Sequence, residues 1–406
     1  MSSDTTVDTR TSPSSAEPAP RRRLLPAFNG DLGLWPVLVG LVVIAVGFQV
    51  ANGAFLSSRN LSNLVLQTGT LIVLTLGIMI VLLIGEIDLS IGAVSGVTAC
   101  VMGILSALWG WPAWAAIGCA IVLGALIGLI QGSWIVAFKA PSFIVTLAGM
   151  LVWQGAQLLL LAGQNGQLRI EDPVITGIAS NFLPRAVGWT LAAVVVFVGA
   201  GWIVLRRYLS VRAGYGVDSL IKDIVRVLAI VASGLVVMLV LDSYLGVPYM
   251  LVAVLGVTVT LAVITGFTIF GRHIYAVGGN GEAARRTGVR VGSLRVTVFV
   301  IASSLAAFAG ILEASRGYSV SVNSGGGNTA LNAIAAAVIG GTSLFGGRGR
   351  VVGALLGALV ISSVQNGLAL VGQTAATQVI TTGLILLAAV TLDMSARNRK
   401  QKGSRS

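Results

Sequence analysis

Charge is the property that this sequence has least of. Only 10% of its 406 residues are charged, whereas 55% are hydrophobic and the mean hydropathy is +0.93. A soluble domain carries roughly a quarter of its residues as charges. The chain therefore cannot cover a water-facing surface, which excludes a soluble globular protein and predicts an all-α polytopic membrane protein.

Residues that carry metal or catalytic chemistry are also scarce. The chain has one histidine, His273, and two cysteines, Cys100 and Cys119, which lie in apolar runs and predict neither a disulfide nor a metal framework. None of its four lysines stands in a G-x-x-x-x-G-K-S/T phosphate loop. We therefore predict no catalytic residue, no metal site, no cofactor held by this chain, and no enzymatic activity.

The net charge of +12 is concentrated in the tails and in two loops. That distribution follows the positive-inside rule for cytoplasmic segments, and it argues against nucleic acid as a partner. The polar leader, residues 1–34, is predicted to be a disordered cytoplasmic tail. A cleaved signal peptide is the competing interpretation, but the leader is long and lacks a clear small-x-small cleavage site.

A membrane-spanning helix needs about 20 apolar residues. About twelve candidates (10 to 12) are predicted within a transmembrane domain over residues 35–394, followed by a basic cytoplasmic tail over 395–406. With the N-terminus inside, alternation places the basic segments 206–226, 271–295 and 397–405 all on the cytoplasmic side. The candidates are 35–52, 65–84, 91–108, 113–136, 143–163, 188–205, 226–242, 249–270, 296–313, 331–346, 352–371 and 376–393. The short spans 331–346 and 352–371 have one broken or re-entrant unit as their alternative.

The stretch GEIDLSIG places two carboxylates, Glu86 and Asp88, inside an otherwise apolar region. We interpret it as a helix break between Gly85 and Gly92, in which Asp88 or Ser90 caps the following helix. A polar lining of a transport pathway and a site of ion coupling are the two alternatives. Ion coupling is disfavoured because ionisable residues are rare elsewhere in the predicted spans.

A second Gly-rich stretch, AVIGGTSLFGG at residues 337–347, resembles LLIGEIDLSIG at 82–92, and each is followed by a small-residue helix, GALLG or GALIG. We interpret the two as breaks in weakly related halves of a parallel repeat. Chance similarity between Gly-rich helices is the alternative. Candidates for the pathway or the helix breaks are Gly85, Glu86, Asp88, Ser90, Gly92, Asn332, Gly340, Gly341, Thr342 and Ser343.

The predicted cytoplasmic loop 271–295 contains EAA followed by a glycine. Glu282 fits the positively polarised start of a short helix, and Gly288 fits its end. Such a helix on a cytoplasmic loop is a docking element. The alternative is a charged loop in which EAA occurs by chance.

Four motifs occur in order along the chain: GEIDLSIG, PSFIVTLAGM, GRHIYAVGGNGEAARRTGV and AIAAAVIGGTSLFGGRG. Together they resemble the permease subunit of bacterial ABC importers for monosaccharides, the ribose, xylose, arabinose and galactose group, over about residues 35–394. The sequence is most similar to the xylose-type and multiple-monosaccharide permeases, because residues 206–242 look like their additional charged loop and helix.

The resemblance implies a subunit that carries a monosaccharide, expected to be xylose or a similar pentose, across the bacterial cytoplasmic membrane. It implies four partners: an ATP-binding subunit through which ATP acts, an extracytoplasmic sugar-binding protein, a second copy of the permease in a homodimer, and membrane lipid. The residues that it assigns to coupling with the ATPase are Glu282, Ala283, Ala284, Arg285 and Gly288. An ion-coupled secondary sugar carrier and a non-transporting membrane anchor are the alternatives.

Overall fold

The computed structural model describes residues 35–214 and 219–403, with the side chains of Ala389 and of residues 392–403 outside the description. The predicted N-terminal tail, 1–34, and the last three residues of the predicted C-terminal tail lie outside the described residues. The remainder is almost entirely helical. Two three-residue strands, β1 (Gln167–Arg169) and β2 (Ser319–Ser321), pair antiparallel with Leu168 opposite Val320.

Fifteen α-helices lie within the described residues. A π-helical turn (Ile104–Leu108) extends the third, and a 3-10 turn (Ala162–Gln164) follows the fifth. The helices are α1 (Trp35–Ala51), α2 (Ser58–Leu83), α3 (Ile91–Gly103), α4 (Ala113–Phe138), α5 (Ser142–Leu161), α6 (Pro173–Ser180), α7 (Arg185–Arg212), α8 (Leu220–Asp242), α9 (Tyr249–Phe267), α10 (Ile269–Gly279), α11 (Gly281–Arg286), α12 (Val291–Gly317), α13 (Thr329–Ile339), α14 (Val351–Leu370) and α15 (Ala375–Gly403).

The prediction of an all-α polytopic membrane protein is confirmed. Among the described residues, nine helices are long and apolar enough to cross a membrane, and α1, α13 and the segment 375–388 of α15 are shorter apolar helices. Each of the twelve predicted spans overlaps one of these helices. The chain is therefore a multi-pass membrane protein whose backbone polar groups are satisfied within its helices.

Helix α2 forms the centre of the fold. It carries no charge between Asn60 and Leu83, it is buried over most of its length, and α12, α13, α14 and α9 pack around it. A helix that is apolar on all sides is stable only where it is surrounded, either by protein or by lipid. Here protein surrounds it, and helices such as α5 and α7 face outwards instead.

Small residues let α4 and α12 pack closely. Gly124, Gly128 and Gly132 are spaced four apart and so lie on one face of α4. A Cβ atom on Gly124 would lie 2.6 Å from the Ser303 carbonyl oxygen, and one on Gly132 would lie 2.9 Å from the Val296 Cα atom. Close backbone approach of this kind is how membrane helices gain van der Waals packing without a hydrophobic driving force.

The charged segment predicted at 206–226 is helical at both ends rather than a loop. Helix α7 continues to Arg212 and α8 begins at Leu220. Asp223 accepts hydrogen bonds from Arg207 at 2.8 Å and from Arg226 at 2.9 Å, which neutralises part of the charge that would otherwise separate the helices. The resulting α7–α8 hairpin lies at the edge of the fold and is mostly exposed.

The predicted span 331–346 is wrong in length. Helix α13 has 11 residues and ends at Ile339, so at 1.5 Å per residue it is about 16 Å long and cannot cross a bilayer of about 30 Å. The chain turns at Gly340 and Gly341, the latter with φ +85°. The apolar composition of the stretch continued past this turn, which is why hydropathy alone placed the helix end too late.

One further prediction differs from the structure. GALIG lies in α4, the second helix after the first Gly-rich stretch, whereas GALLG lies in α14, the first helix after the second stretch. The two small-residue segments are therefore not equivalent positions of a repeat. In the predicted basic tail, the backbone of residues 395–403 continues α15. Lys, Arg and Gln favour helix, and the stretch has no proline or internal glycine to end it.

Candidate functional site

The first break, residues 84–90, follows the end of α2. Gly85 has φ +78°, a backbone conformation that glycine adopts readily. The Ile87 amide donates to Ser142 Oγ at 3.1 Å, and the Leu89 amide donates to Thr146 Oγ1 at 3.1 Å. Two hydroxyls on the first turns of α5 therefore satisfy backbone groups that the interrupted helix leaves free.

Asp88 and Ser90 are fully buried and form the start of α3. One Asp88 oxygen, Oδ1, accepts from the Ser90 amide at 2.8 Å and from the Ser90 hydroxyl at 2.6 Å. Ser90 Oγ also lies 3.0 Å from Gln131 Oε1 on α4, whereas Asp88 Oδ2 has no partner among the described residues. Ser90 is the N-cap residue of α3, but its side chain makes no capping hydrogen bond; Asp88 instead holds Ser90 in place. In this conformation neither side chain faces an open pathway.

Gly92 lies inside α3 at a close approach to the segment before α13. A Cβ atom there would overlap the Gly325 carbonyl oxygen and lie 3.4 Å from the Ala330 amide nitrogen. The position therefore packs the two halves of the chain together. Asn332, half-buried on α13, is eight residues from Gly340, or about 12 Å along the helix, so it lies away from the second break.

The second break, residues 340–350, is shaped mainly by its backbone. Gly341, Gly346 and Gly347 all have positive φ values, and the Ser343 amide donates to the Arg348 carbonyl at 2.8 Å. Thr342 and Ser343 are each only 2% exposed. Like Asp88, both are therefore buried groups of a helix break in this conformation.

The two breaks meet each other and α10. The Gly347 amide donates to the Leu83 carbonyl at 2.9 Å, which joins the second break to the end of α2. A Cβ atom on Gly278 would overlap the Leu83 carbonyl oxygen and lie 2.6 Å from the Gly347 amide nitrogen. The Tyr275 hydroxyl donates to the Gly349 carbonyl at 2.9 Å. We call these residues, 83–85, 346–349, Tyr275 and Gly278, the break junction.

The Tyr275 hydroxyl keeps its proton in this environment. Burial raises the pKa of the Tyr275 phenol, and the Arg350 guanidinium opposes part of that increase. A phenol that stays protonated at neutral pH remains a hydrogen-bond donor. The bond to the second break therefore persists across the physiological pH range.

The predicted short helix after the junction is present as α11. The Asn280 side chain caps it by accepting from the Ala283 amide at 2.9 Å, and Gly288, with φ +90°, follows its last turn. Glu282 pairs with Arg286 at 3.5 Å on the exposed side. Of the residues assigned to coupling, Glu282, Ala283, Arg285 and Gly288 are exposed, whereas Ala284 is buried against the core.

One ion pair joins α12 to the first break. The Arg295 Nε atom lies 3.0 Å from Glu86 Oε1, and the exposed fractions of these side chains are 37% and 12%. The sequence analysis missed this pair, and it also missed Ser142, Thr146 and Asn280. Ser142 and Thr146 had a local signal, because they are four residues apart and directly follow a proline. Asn280 also had one, because it precedes the EAA motif at a helix start. The ion pair had no local signal.

The charged groups of the site do not form a metal centre. No group of three or more histidine, cysteine, aspartate or glutamate residues within 35–214 and 219–403 could hold a metal ion. The arrangement can instead transmit movement from one helix to another. An exposed helix, α11, is connected within a few residues to a junction that holds two interrupted helices of the membrane domain.

Comparison with protein families identifies the chain. Residues 60–390 match the family described as the branched-chain amino acid transport system, permease component. The chain belongs to this family of transport permeases. It is therefore a membrane subunit of a transport system and not an enzyme. No solved structure matches it.

The curated relatives of this permease are similar over nearly their whole length. The xylose transport system permease protein XylH of Escherichia coli is 34% identical over 397 residues, which cover 95% of this chain and 100% of the relative. XylH of Haemophilus influenzae is 34% identical over 91% of this chain and 98% of the relative. The ribose import permease protein RbsC of E. coli is 31% identical over 364 residues, which cover 90% of this chain and 93% of the relative.

Proposed function

We propose that this chain is the membrane-spanning permease subunit of an ABC importer that carries xylose or a similar pentose into the cell. The observation that carries the proposal is the 34% identity to XylH over 95% of the chain. The geometry agrees with it, because α11 exposes Glu282, Ala283 and Arg285 for a partner while its neighbour α10 contacts both helix breaks.

The energy source in this proposal is ATP, hydrolysed by a separate subunit that binds α11 from the cytoplasm. An extracytoplasmic sugar-binding protein delivers the sugar, and a second copy of the permease completes a homodimer in the lipid of the bacterial cytoplasmic membrane. Both chain termini are cytoplasmic. The basic segments support this orientation, since alternation of the predicted spans puts them on one side.

The breaks are where we place the change of access. Gly85, Glu86, Asp88, Ser90, Gly340, Gly341, Thr342 and Ser343 belong to interrupted helices, and interrupted helices near the centre of a transporter are typical of its moving parts. Because Asp88, Thr342 and Ser343 are buried here, they reach the pathway only in a conformation in which the breaks have moved. Asn332 and Gly92 then act in packing beside the pathway.

The experiment is co-purification from the native cells. The tagged chain is extracted in mild detergent, and the preparation is assayed for stoichiometric ATPase subunit, for ATP hydrolysis, and for ATP-dependent xylose uptake in vesicles with ribose as competitor. We expect Gly288→Glu to remove the ATPase. The matched control is Gly214→Glu, which is also an exposed glycine with positive φ and open space around it, at the end of α7.

Retention of the ATPase by Gly288→Glu at the wild-type level would refute the coupling assignment. A chain that purifies alone and still moves sugar down an ion gradient would establish the ion-coupled secondary carrier instead. Uptake that requires both ATP and the partner subunit, with xylose preferred over ribose, supports the proposal as stated.

A further inference from the structure

The Glu86–Arg295 ion pair connects two parts of the chain that are far apart in sequence. Glu86 lies in the first break, three residues after α2 ends and two before Asp88, which accepts from Ser90, the N-cap residue of α3. Arg295 lies in the first turns of α12, nine residues after the last residue of α11. The pair therefore joins the exposed coupling segment directly to the first break.

The environment of the pair makes it strong. Glu86 is only 12% exposed and Arg295 is 37% exposed, so the charges are partly removed from water and attract each other at a lower effective dielectric constant than on a surface. Removing either partner leaves the other charge partly buried and uncompensated, which is costly. Most other contacts of the first break are neutral hydrogen bonds to α5.

The geometry of the contact suits a moving connection. The Arg295 Nε atom is 3.0 Å from the carboxylate oxygen but makes no aligned hydrogen bond, so Coulomb attraction holds the pair. Coulomb energy falls only as 1/r, whereas a hydrogen bond weakens steeply once its angle is lost. A shift of α12 by an ångström therefore leaves this pair engaged.

We infer that Glu86 and Arg295 are a positioning pair that transmits movement of the coupling segment to the first break. This inference rests on the proposed function, since it requires an ATPase that moves α11. The pair acts through its neighbours and does not bind sugar. Loss of the pair leaves ATP hydrolysis running while less sugar is carried per ATP, which loss of a purely structural contact does not cause.

The test uses the complex of this chain with its co-purified ATPase and sugar-binding protein, reconstituted in vesicles. The variants are Glu86→Gln, Arg295→Gln, the charge swap Glu86→Arg with Arg295→Glu, and the conservative Arg295→Lys. The control is Arg185→Gln, which removes another ion pair, with Asp242 at 3.3 Å, between the far ends of α7 and α8. Xylose uptake and ATP hydrolysis are measured together.

We expect each single neutral variant to lower the sugar carried per ATP about tenfold while the ATPase subunit stays bound. The charge swap and Arg295→Lys recover to within about threefold of wild type, and Arg185→Gln does not change the ratio. A wild-type ratio in Glu86→Gln, or a folded charge swap as uncoupled as the single variants, overturns the inference.

Two further outcomes are distinguishable. Failure of all four variants to yield a folded complex makes the pair a folding element and also overturns the inference. If instead the wild-type complex shows no ATP-driven uptake, the proposed function has failed. In that case the wild-type control identifies the failure before any variant is compared.

Discussion

Side chains from three other helices hold the first break in place, whereas the second break keeps its shape through its own backbone. Ser142 and Thr146 from α5, Gln131 from α4 and Arg295 from α12 all reach residues 84–90. In residues 340–350, three glycines with positive φ set the path, and the Tyr275 bond comes from α10. The first break is thus anchored to three helices of the bundle and the second to α10.

The comparison shows how two breaks can differ in role although their sequences look alike. A break fixed by several neighbours changes shape only when those neighbours move. A break fixed by glycine conformation and by one helix, α10, is expected to follow that helix. The break junction is where the two kinds of control meet, so changes at the junction should have the largest effect.

Gly278→Ala should destabilise the protein most, by about 3 kcal/mol, because the new methyl group overlaps the Leu83 carbonyl and crowds the Gly347 amide. The control is Gly279→Ala on the same helix, where a Cβ atom meets nothing within 4 Å. Thermal unfolding of both variants in detergent provides the measurement. Equal melting temperatures for the two would contradict the packing of α10 on the breaks.

Asp88→Ala should cost about 2 kcal/mol, because the buried Ser90 hydroxyl and amide both lose their acceptor. It should reduce the yield of assembled protein as much as it reduces transport. Asp88→Asn keeps one acceptor oxygen and should lose roughly half as much stability. An Asp88→Ala protein with wild-type melting temperature and transport would remove Asp88 from both roles.

Thr146→Val separates side-chain support from backbone support. It keeps the shape of the residue but deprives the Leu89 amide of its acceptor, so the expected loss is about 1.5 kcal/mol. Thr146→Ser retains the hydroxyl and should lie within about 0.5 kcal/mol of wild type. If valine and serine behave alike in thermal unfolding, the hydroxyl does not support the first break.

Gly341→Ala tests the second break alone and should have the smallest effect. A Cβ atom there has open space, so the loss of about 1 kcal/mol comes only from the positive φ. Gly341→Asn should lose less, since asparagine tolerates this conformation better than alanine. A larger loss for asparagine than for alanine in the same unfolding assay would show that space, not backbone conformation, limits this position.

The sequence predicted those features that have a local signal. Apolar runs located twelve helices, and EAA with Gly288 located α11 and its end. The Gly-rich stretch indicated the break at Gly340 and Gly341, but hydropathy did not give the length of α13, because these glycines interrupt the helix without interrupting the apolar composition. The position of Asp88 and Ser90 at the start of α3 followed from the Gly-rich helix break, whereas Gln131, which accepts from Ser90, lies on another helix.

Contacts between segments that are distant in sequence could not be predicted from the sequence. Glu86 and Arg295 are separated by 209 positions, and no periodicity connects them. The approach of Gly278 to Leu83 likewise depends on how α10 packs after the whole bundle has formed. Such contacts are set by tertiary packing, which neither composition nor the spacing of motifs records.

The absence of a side chain at Gly278 leaves α10 in contact with the Leu83 carbonyl with no clearance between them. Because the two backbones are in steric contact, α10 cannot move towards the end of α2 without displacing it. Any displacement of α10 must therefore be taken up by α2 and the second break together.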